Sequence, residues 1–270
     1  YMVIKPGTHI LRVRYWVKDV ATNVEGTITK ILPSTTYASN TYYDMTANLN
    51  VRDYDGDHYY MWDAQEQYWK GYEWTKHLSG NTGQPTLNNN SSSNYAQSNT
   101  DPRYYNESFT YGAYNKATHT SCKDLPNVNE MTWYAAKGDP RWDGDELWTT
   151  MGHLYKGGMW FKEKSVLQGE GNYNSNTAVD GTDWRTNGNA YSWSISQTLP
   201  SVADAANYFY LPALGLYNFG QLNDVGNGRY WSSSAHPWYS NFACYLDFSS
   251  GQVRVSYNDR SRGFRVGGFK

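Results

Sequence analysis

The strongest constraint on the fold of this chain is a period-two pattern near its C-terminal end. Ala243 to Ser249 reads Ala-Cys-Tyr-Leu-Asp-Phe-Ser, and Gln252 to Ser256 reads Gln-Val-Arg-Val-Ser, with Ser250-Gly251 between them. Successive side chains of a strand point to opposite faces. Leu246 and Phe248 therefore share one face, and Tyr245, Asp247 and Ser249 the other. Val253 and Val255 oppose Gln252, Arg254 and Ser256 in the same way. The pattern predicts a hairpin with one apolar face and one chemically mixed face. An ordinary half-solvated hairpin has the same periodicity, so function needs further signals.

Composition narrows the class. Of 270 residues, 17% are aromatic (26 Tyr, 12 Trp, 8 Phe), which excludes global disorder because disordered chains are poor in aromatics. The net charge is -2, against the broad basic surface of a general nucleic-acid binder. No run approaches 18 consecutive apolar residues, so no transmembrane helix is expected. The two cysteines, Cys122 and Cys244, are too few for a disulfide framework and leave a single bridge open. Low charge with much Tyr, Asn, Ser and Thr matches extracellular β proteins. Tyr1, with neither initiator Met nor signal peptide, reads as a trimmed end. The expected location is the cell surface, with outer-membrane anchoring through a segment preceding Tyr1.

Residues 1–52 contain about three strand candidates. Ile10, Val13, Tyr15 and Val17 alternate with Arg12, Arg14 and Lys18, and Gly26 to Leu32 and Tyr42 to Val51 are β-branched or aromatic runs. Three strands hardly make a stable domain alone, so this segment is expected to end a larger β-sandwich or to pack on the rest of the chain. Ser79 to Asp101 is rich in Asn, Ser, Gly and Thr and reads as a solvated loop. Asn127 to Ala136 reads as a short helix. Beyond it come short strand candidates at Tyr208 to Leu211, Tyr230 to Ser233, Ala243 to Phe248, Gln252 to Val255 and Phe264 to Val266.

Catalytic and metal signals are weak. Asp53, Asp55 and Asp57 around Gly56 lack the spacing of a calcium loop, and an acidic turn is the better reading. Asp180-Gly181-Thr182-Asp183 likewise reads as a polar turn. None of the six His (9, 58, 77, 119, 153, 236) lies at metal-ligand spacing, and no carboxylate pair stands out as an acid/base couple.

The window from Ala235 to Arg262 has a further property. It contains no Lys, Glu or Met, and every residue except Trp238 and Gln252 is reachable from an Asn codon by replacing its two adenines. That is the trace adenine-directed mutagenesis leaves. With Tyr230-Trp231-Ser232-Ser233-Ser234 before the hairpin and Arg260-Ser261-Arg262-Gly263-Phe264-Arg265-Val266-Gly267-Gly268-Phe269 after it, the chain resembles a variable protein of a diversity-generating retroelement. Asn127 to Tyr134, Gly138 to Asp143 and Gly152 to Phe161 are similar to members from gut Bacteroidales. The resemblance covers about 55–270; residues 1–52 look more loosely like the closing strands of a fimbrillin-type surface β-sandwich.

The resemblance implies an α+β fold: a C-type-lectin-like domain over 53–270 with short strands, few short helices and long loops, preceded by a small β-rich segment at 1–52. The same fold occurs in the formylglycine-generating enzymes. It implies a fixed scaffold of Trp231, Ser232, Leu246, Phe248, Val253, Val255, Gly263, Phe264 and Val266. The exposed, variable and ligand-contacting positions are then Tyr239, Asn241, Phe242, Tyr245, Asp247, Ser249, Arg254, Ser256, Tyr257, Asn258, Asp259, Ser261 and Arg262. Trp238 and Gln252 are expected to be constant, and the role of Cys244 stays open. Tyr and Phe on a rigid sheet offer contact area at low entropic cost, and Arg254 and Arg262 favour an acidic or carbonyl-rich ligand. The expected activity is non-enzymatic binding of a protein or glycan on another cell, phage or host surface, without catalytic residues, cofactor, metal or nucleic-acid partner. The alternatives are an oxidase of the formylglycine-generating type, which needs a suitably placed cysteine pair, a calcium-dependent sugar lectin, and a structural pilus or surface-layer subunit.

Overall fold

A computed structural model of the chain describes residues 2–44, 48–54, 56–76, 78, 83–85, 87, 91–112 and 114–270. Asp55 of the acidic turn, His77, and the parts of the 42–51 run and the 79–101 loop at 45–47, 79–82, 86 and 88–90 lie outside them. The described residues are mostly strand and irregular backbone, and their longest helix has 10 residues.

Four strands come first: β1 (Gly7–His9), β2 (Arg12–Lys18), β3 (Glu25–Ile31) and β4 (Thr35–Tyr37). They pair as two separate antiparallel ladders, β1 with β4 and β2 with β3. Along β2 and β3 half-buried residues alternate with exposed ones, as the period-two reading expects, but none is fully buried. Asp19, in the β2–β3 connection, anchors the ladder to the rest of the chain. Its carboxylate lies 3.0 Å from His153 Nδ1 and accepts from the Leu154 N–H at 2.9 Å, while the Thr22 hydroxyl donates to the Leu154 carbonyl at 2.8 Å. The strand expected at 42–51 is absent among its described residues. Asn50 has a positive φ of 52°, and its N–H bonds to the Asn48 side chain at 2.9 Å, so a side-chain turn replaces ladder pairing.

The larger unit begins at β5 (Arg52–Asp53), followed by β6 (Tyr59–Tyr60) and a long irregular passage. That passage is less solvated than its composition implies: Gln84, Ser92 and Ala96 are buried, because Ser92 N–H bonds to the Gly220 carbonyl and Tyr95 stacks on Tyr68. α1 (Val128–Lys137) starts at a capping box in which Asn127 and Glu130 each accept from the other's backbone N–H. Its Val128, Met131, Tyr134 and Ala135 recur at helical spacing and face the core. β7 (Arg141–Thr150) and β8 (His153–Lys162) form a long hairpin closed by Met151-Gly152, both at positive φ, as a two-residue primed turn requires.

Next come α2 (Lys164–Gly169), α3 (Trp184–Asn187), β9 (Tyr191–Trp193), β10 (Tyr208–Pro212), and the small hairpin of β11 (Leu216–Asn218) and β12 (Gln221–Asn223). The last strands are β13 (Gly228–Ala235), β14 (Phe242–Phe248), β15 (Val253–Asp259) and β16 (Phe264–Arg265). One sheet has the order β10-β8-β7-β5 and the other the order β6-β16-β13-β14-β15-β9.

The β14–β15 hairpin is the one the period-two pattern specified, with Phe248 opposite Val253 and Leu246 opposite Val255. Its surroundings differ from a half-solvated hairpin. Leu246, Phe248, Val253 and Val255 pack with α1 and with Met159 and Phe161 of β8. On the opposite face, Tyr245 and Trp231 pack with Phe264, Trp62 and Cys122 in a second core cluster. Every residue from Ala243 to Phe248 is buried, so this strand is a central layer with cover on both sides.

Candidate ligand-binding surface

Aromatic rings crowd the connection between β13 and β14. His236 Nδ1 accepts from the backbone N–H groups of Trp238 and Tyr239, each at 3.2 Å, and this folds the His-Pro-Trp-Tyr turn. The His236 ring stacks on Tyr239 (centroids 4.7 Å, planes 22° apart) and meets Tyr257 edge-on at 4.3 Å. Phe242 stacks on Tyr257 at 5.8 Å and meets Tyr239 edge-on at 5.6 Å. The outcome is a tilted set of rings with a buried base, His236, and an exposed rim: Trp238 is 44% and Tyr239 49% exposed.

Two other chain regions border these rings. The Gly112 N–H donates to the Pro237 carbonyl at 3.2 Å, which holds the loop bearing the exposed Tyr111 and Tyr114 beside the turn. The Arg185 guanidinium, itself held by Asp183, lies 4.7 Å from the Tyr114 ring centroid. Gly188, the left-handed C-cap of α3, packs directly on His236: a Cβ there would stand 2.6 Å from Nε2. Burial pushes the imidazole down to about 4, with the Arg260 charge acting in the same direction, so the ring is neutral and serves as an acceptor at Nδ1.

Arg260 braces the surface from beneath. It is fully buried, with Nε donating to the Phe242 carbonyl (3.0 Å) and Nη1 to the carbonyls of Asn106 (3.0 Å) and Ser108 (3.1 Å). Its guanidinium sits 4.5 Å from the Trp62 ring centroid. Burial pulls this group down to about 10. The brace joins the start of β14 to the loop leading to Tyr111.

The expected contact residues divide into three groups. Tyr239 and Asn241 are exposed, and Phe242, Ser249, Arg254, Ser256, Tyr257, Asn258, Asp259, Ser261 and Arg262 are partly exposed. Tyr245 and Asp247 are a correction to the expectation of exposure, at 2% and 7%. Tyr245 is covered by Trp231 and Phe264, and Asp247 is enclosed by two arginines. Asp247 Oδ2 receives Arg229 Nη1 and Arg254 Nη2, both at 2.6 Å. Arg262 lies 3.8 Å from Asp259, so Arg254 and Arg262 both have carboxylate partners within the chain and are not a free cationic patch. Asn241 also bonds to Asp259, at 3.2 Å.

Tyr111 and Tyr114 border the rings and Arg229 holds Asp247, and no local sequence pattern marks any of the three; Trp238, expected to be constant, is part of the exposed rim. Cys122 and Cys244 are free and buried, with burial pushing both thiols up to about 12. The second acidic turn is taken up structurally: Asp180 accepts from Thr182 and from Trp184 Nε1, and Asp183 caps α3. Compared with known protein families, curated proteins and solved structures, the chain has no significant match in any of the three.

Proposed function

We propose that this chain is a non-enzymatic ligand-binding protein of the cell surface, a receptor or adhesin whose C-terminal hairpin region presents a diversified surface on a C-type-lectin-like domain. The observation that carries the reading is the ring set of His236, Trp238, Tyr239, Phe242 and Tyr257: its base is packed and hydrogen-bonded, yet its rim is exposed. Large rings held rigid at a surface give contact area at small entropic cost, and nothing in the packing of Trp238 or Tyr239 requires so much exposed aromatic area. The whole ring set lies in the window from Ala235 to Arg262, and all of it except Trp238 is reachable from an Asn codon.

The same window supplies the diversification part of the reading. Tyr245 and Asp247 are reassigned within it: they support the surface from the second core face rather than touching a ligand. The buried, protonated state of both thiols speaks for binding over thiol-dependent oxidase chemistry.

The test has a genetic and a biochemical arm. A near-copy of codons 230–269 differing only at adenines, beside a reverse-transcriptase gene, is expected near the coding sequence; its absence removes the diversification claim. In the second arm, the protein is screened against arrayed surface proteins and glycans, and each captured ligand is retested with Tyr239→Ala and Trp238→Ala. Both variants are expected to fold and to lose capture, and full retention by both refutes the assigned surface.

A further inference from the structure

Two rings of the exposed rim differ in how the chain backs them. One face of Tyr239 lies against the His236 ring, 4.7 Å away and nearly parallel, and at 49% exposure the residue offers its other face to solvent. Trp238 meets the same His236 ring edge-on, with centroids 5.9 Å apart and planes at 77°, and is 44% exposed. The two rings are therefore steeply inclined to each other and do not make one flat apolar patch.

Polar groups adjoin them in fixed positions. Tyr239 and Asn241 share a turn closed by the Phe242 N–H, which donates to the Tyr239 carbonyl at 3.1 Å. In the β14–β15 ladder Phe242 stands directly opposite Asp259. Asn241 Nδ2 donates to Asp259 Oδ1 at 3.2 Å, and Arg262 lies 3.8 Å from the same carboxylate. This row of amide, carboxylate and guanidinium stays within reach of solvent: Asn241 is exposed, and the Asp259 and Arg262 side chains are 40% and 31% exposed.

Granting the binding role proposed for this surface, we infer that its ligand is a neutral pyranose saccharide. The C–H face of a sugar ring lies on the open face of Tyr239, its hydroxyl edge meets Asn241 and Asp259, and Trp238 flanks it. A pyranose joins an apolar face to a rim of hydroxyls that both donate and accept, which matches an open aromatic face beside an amide and a carboxylate. A protein partner instead favours an apolar centre depleted of charge, with polar groups kept to the rim. Charge points to a neutral ligand. Asp259 and Arg262 offset each other, and the buried Arg260 guanidinium, bonded to the Phe242 carbonyl, disfavours a cation.

Cellotetraose and β-1,4-galactotetraose are the probes, titrated into the full chain by calorimetry and NMR line shifts. Sorbitol is the control that carries hydroxyls without a ring face. At least one tetrasaccharide is expected to saturate with a Kd on the order of 1 mM or tighter, with and without a metal chelator, and sorbitol is not. Tyr239→Ala and Trp238→Ala are each expected to weaken it about threefold or more, and Asn241→Ala about fivefold, whereas Tyr239→Phe keeps the ring and stays within about twofold. Amide resonances away from the turn are expected to match the parent in every variant, which separates weakened binding from unfolding. Absence of saturable binding by both probes overturns the inference. So do equal binding of sorbitol, loss of binding in chelator, and unchanged affinity in both Tyr239→Ala and Asn241→Ala. If the array screen returns only proteins, and their capture is lost with Tyr239→Ala, the saccharide assignment falls while the binding role of the surface stands.

Discussion

Asp247→Ala removes the one carboxylate that two guanidinium groups share. In the folded chain Arg229 Nη1 and Arg254 Nη2 both reach Asp247 Oδ2 at 2.6 Å, Arg254 Nε reaches Oδ1 at 3.2 Å, and the Tyr245 hydroxyl stands 3.3 Å away. The two contacts differ in environment. The Arg229 side chain is largely buried, whereas that of Arg254 is 37% exposed. Stranding one partner of a buried pair costs about 3–5 kcal/mol. Arg229 keeps Asp224 at 3.1 Å, which holds its contribution to the low end of that range or below. The solvent-screened Arg254 contact contributes about 0.5–1 kcal/mol. Together they give about 3 kcal/mol, or a melting midpoint lower by roughly 6–10 °C. Urea denaturation followed by tryptophan fluorescence, with calorimetry alongside, measures both quantities. Arg254→Ala in the Asp247→Ala background is expected to cost less than Arg254→Ala alone, since the two guanidinium groups then no longer face each other without a carboxylate. An Asp247→Ala protein within about 0.5 kcal/mol of the parent refutes the reasoning, because that is the behaviour of an exposed, freely variable position.

Gly188→Ala and Gly171→Ala both place a side chain at positive φ, but only the first meets an obstacle within 4 Å, the His236 ring. Gly171→Ala is expected to cost about 1 kcal/mol and Gly188→Ala about 2–3 kcal/mol by chemical denaturation; equal costs remove the argued contact. His236 has a folded-state pKa near 4, below its ordinary value of 6.5, so the folded chain binds fewer protons between those values. Its contribution is therefore fully present above pH 6.5 and is lost as pH falls towards 4, by at most about 3 kcal/mol. A stability profile from pH 7 to 4 for the parent and for His236→Asn is expected to converge at low pH, and parallel profiles sink the assignment. Cys122 and Cys244 are expected to resist a thiol-directed disulfide reagent at pH 8 until denaturant is added; two fast-reacting thiols in the native protein contradict their burial.

Local chemistry made several elements legible. Asn127 and Glu130 three residues apart, ahead of an apolar stripe, mark the start of α1, and the β14–β15 hairpin follows from alternation around Ser250-Gly251. Strand positions at Tyr208, Tyr230 and Phe264 were visible for the same reason, since β-branched and aromatic residues between turn formers define a pleated segment. The strand expected at 42–51 failed on side-chain turns, where Asn48 competes for the backbone of Asn50. Of the tryptophans outside the C-terminal window, Trp62, Trp148, Trp184 and Trp231 are buried, while Trp133, Trp142, Trp160 and Trp193 are only partly so.

The linear sequence by itself determined which side chains of the C-terminal hairpin share a face, because that depends only on the two-residue period of a strand. It did not determine which face meets solvent. That was decided by tertiary structure, which placed Trp62, Cys122 and Phe264 over the face carrying Tyr245, and brought Arg229 from the neighbouring strand to Asp247. The exposed aromatic surface has the same origin. Tyr239, Phe242 and Tyr257 were visible as residue types, but the loop of Tyr111 and Tyr114 lies beside their turn because Gly112 bonds to Pro237 across 125 positions of sequence and Arg260 ties that loop to β14. Periodicity is a property of neighbours along the chain; burial and the assembly of a surface are properties of neighbours in space.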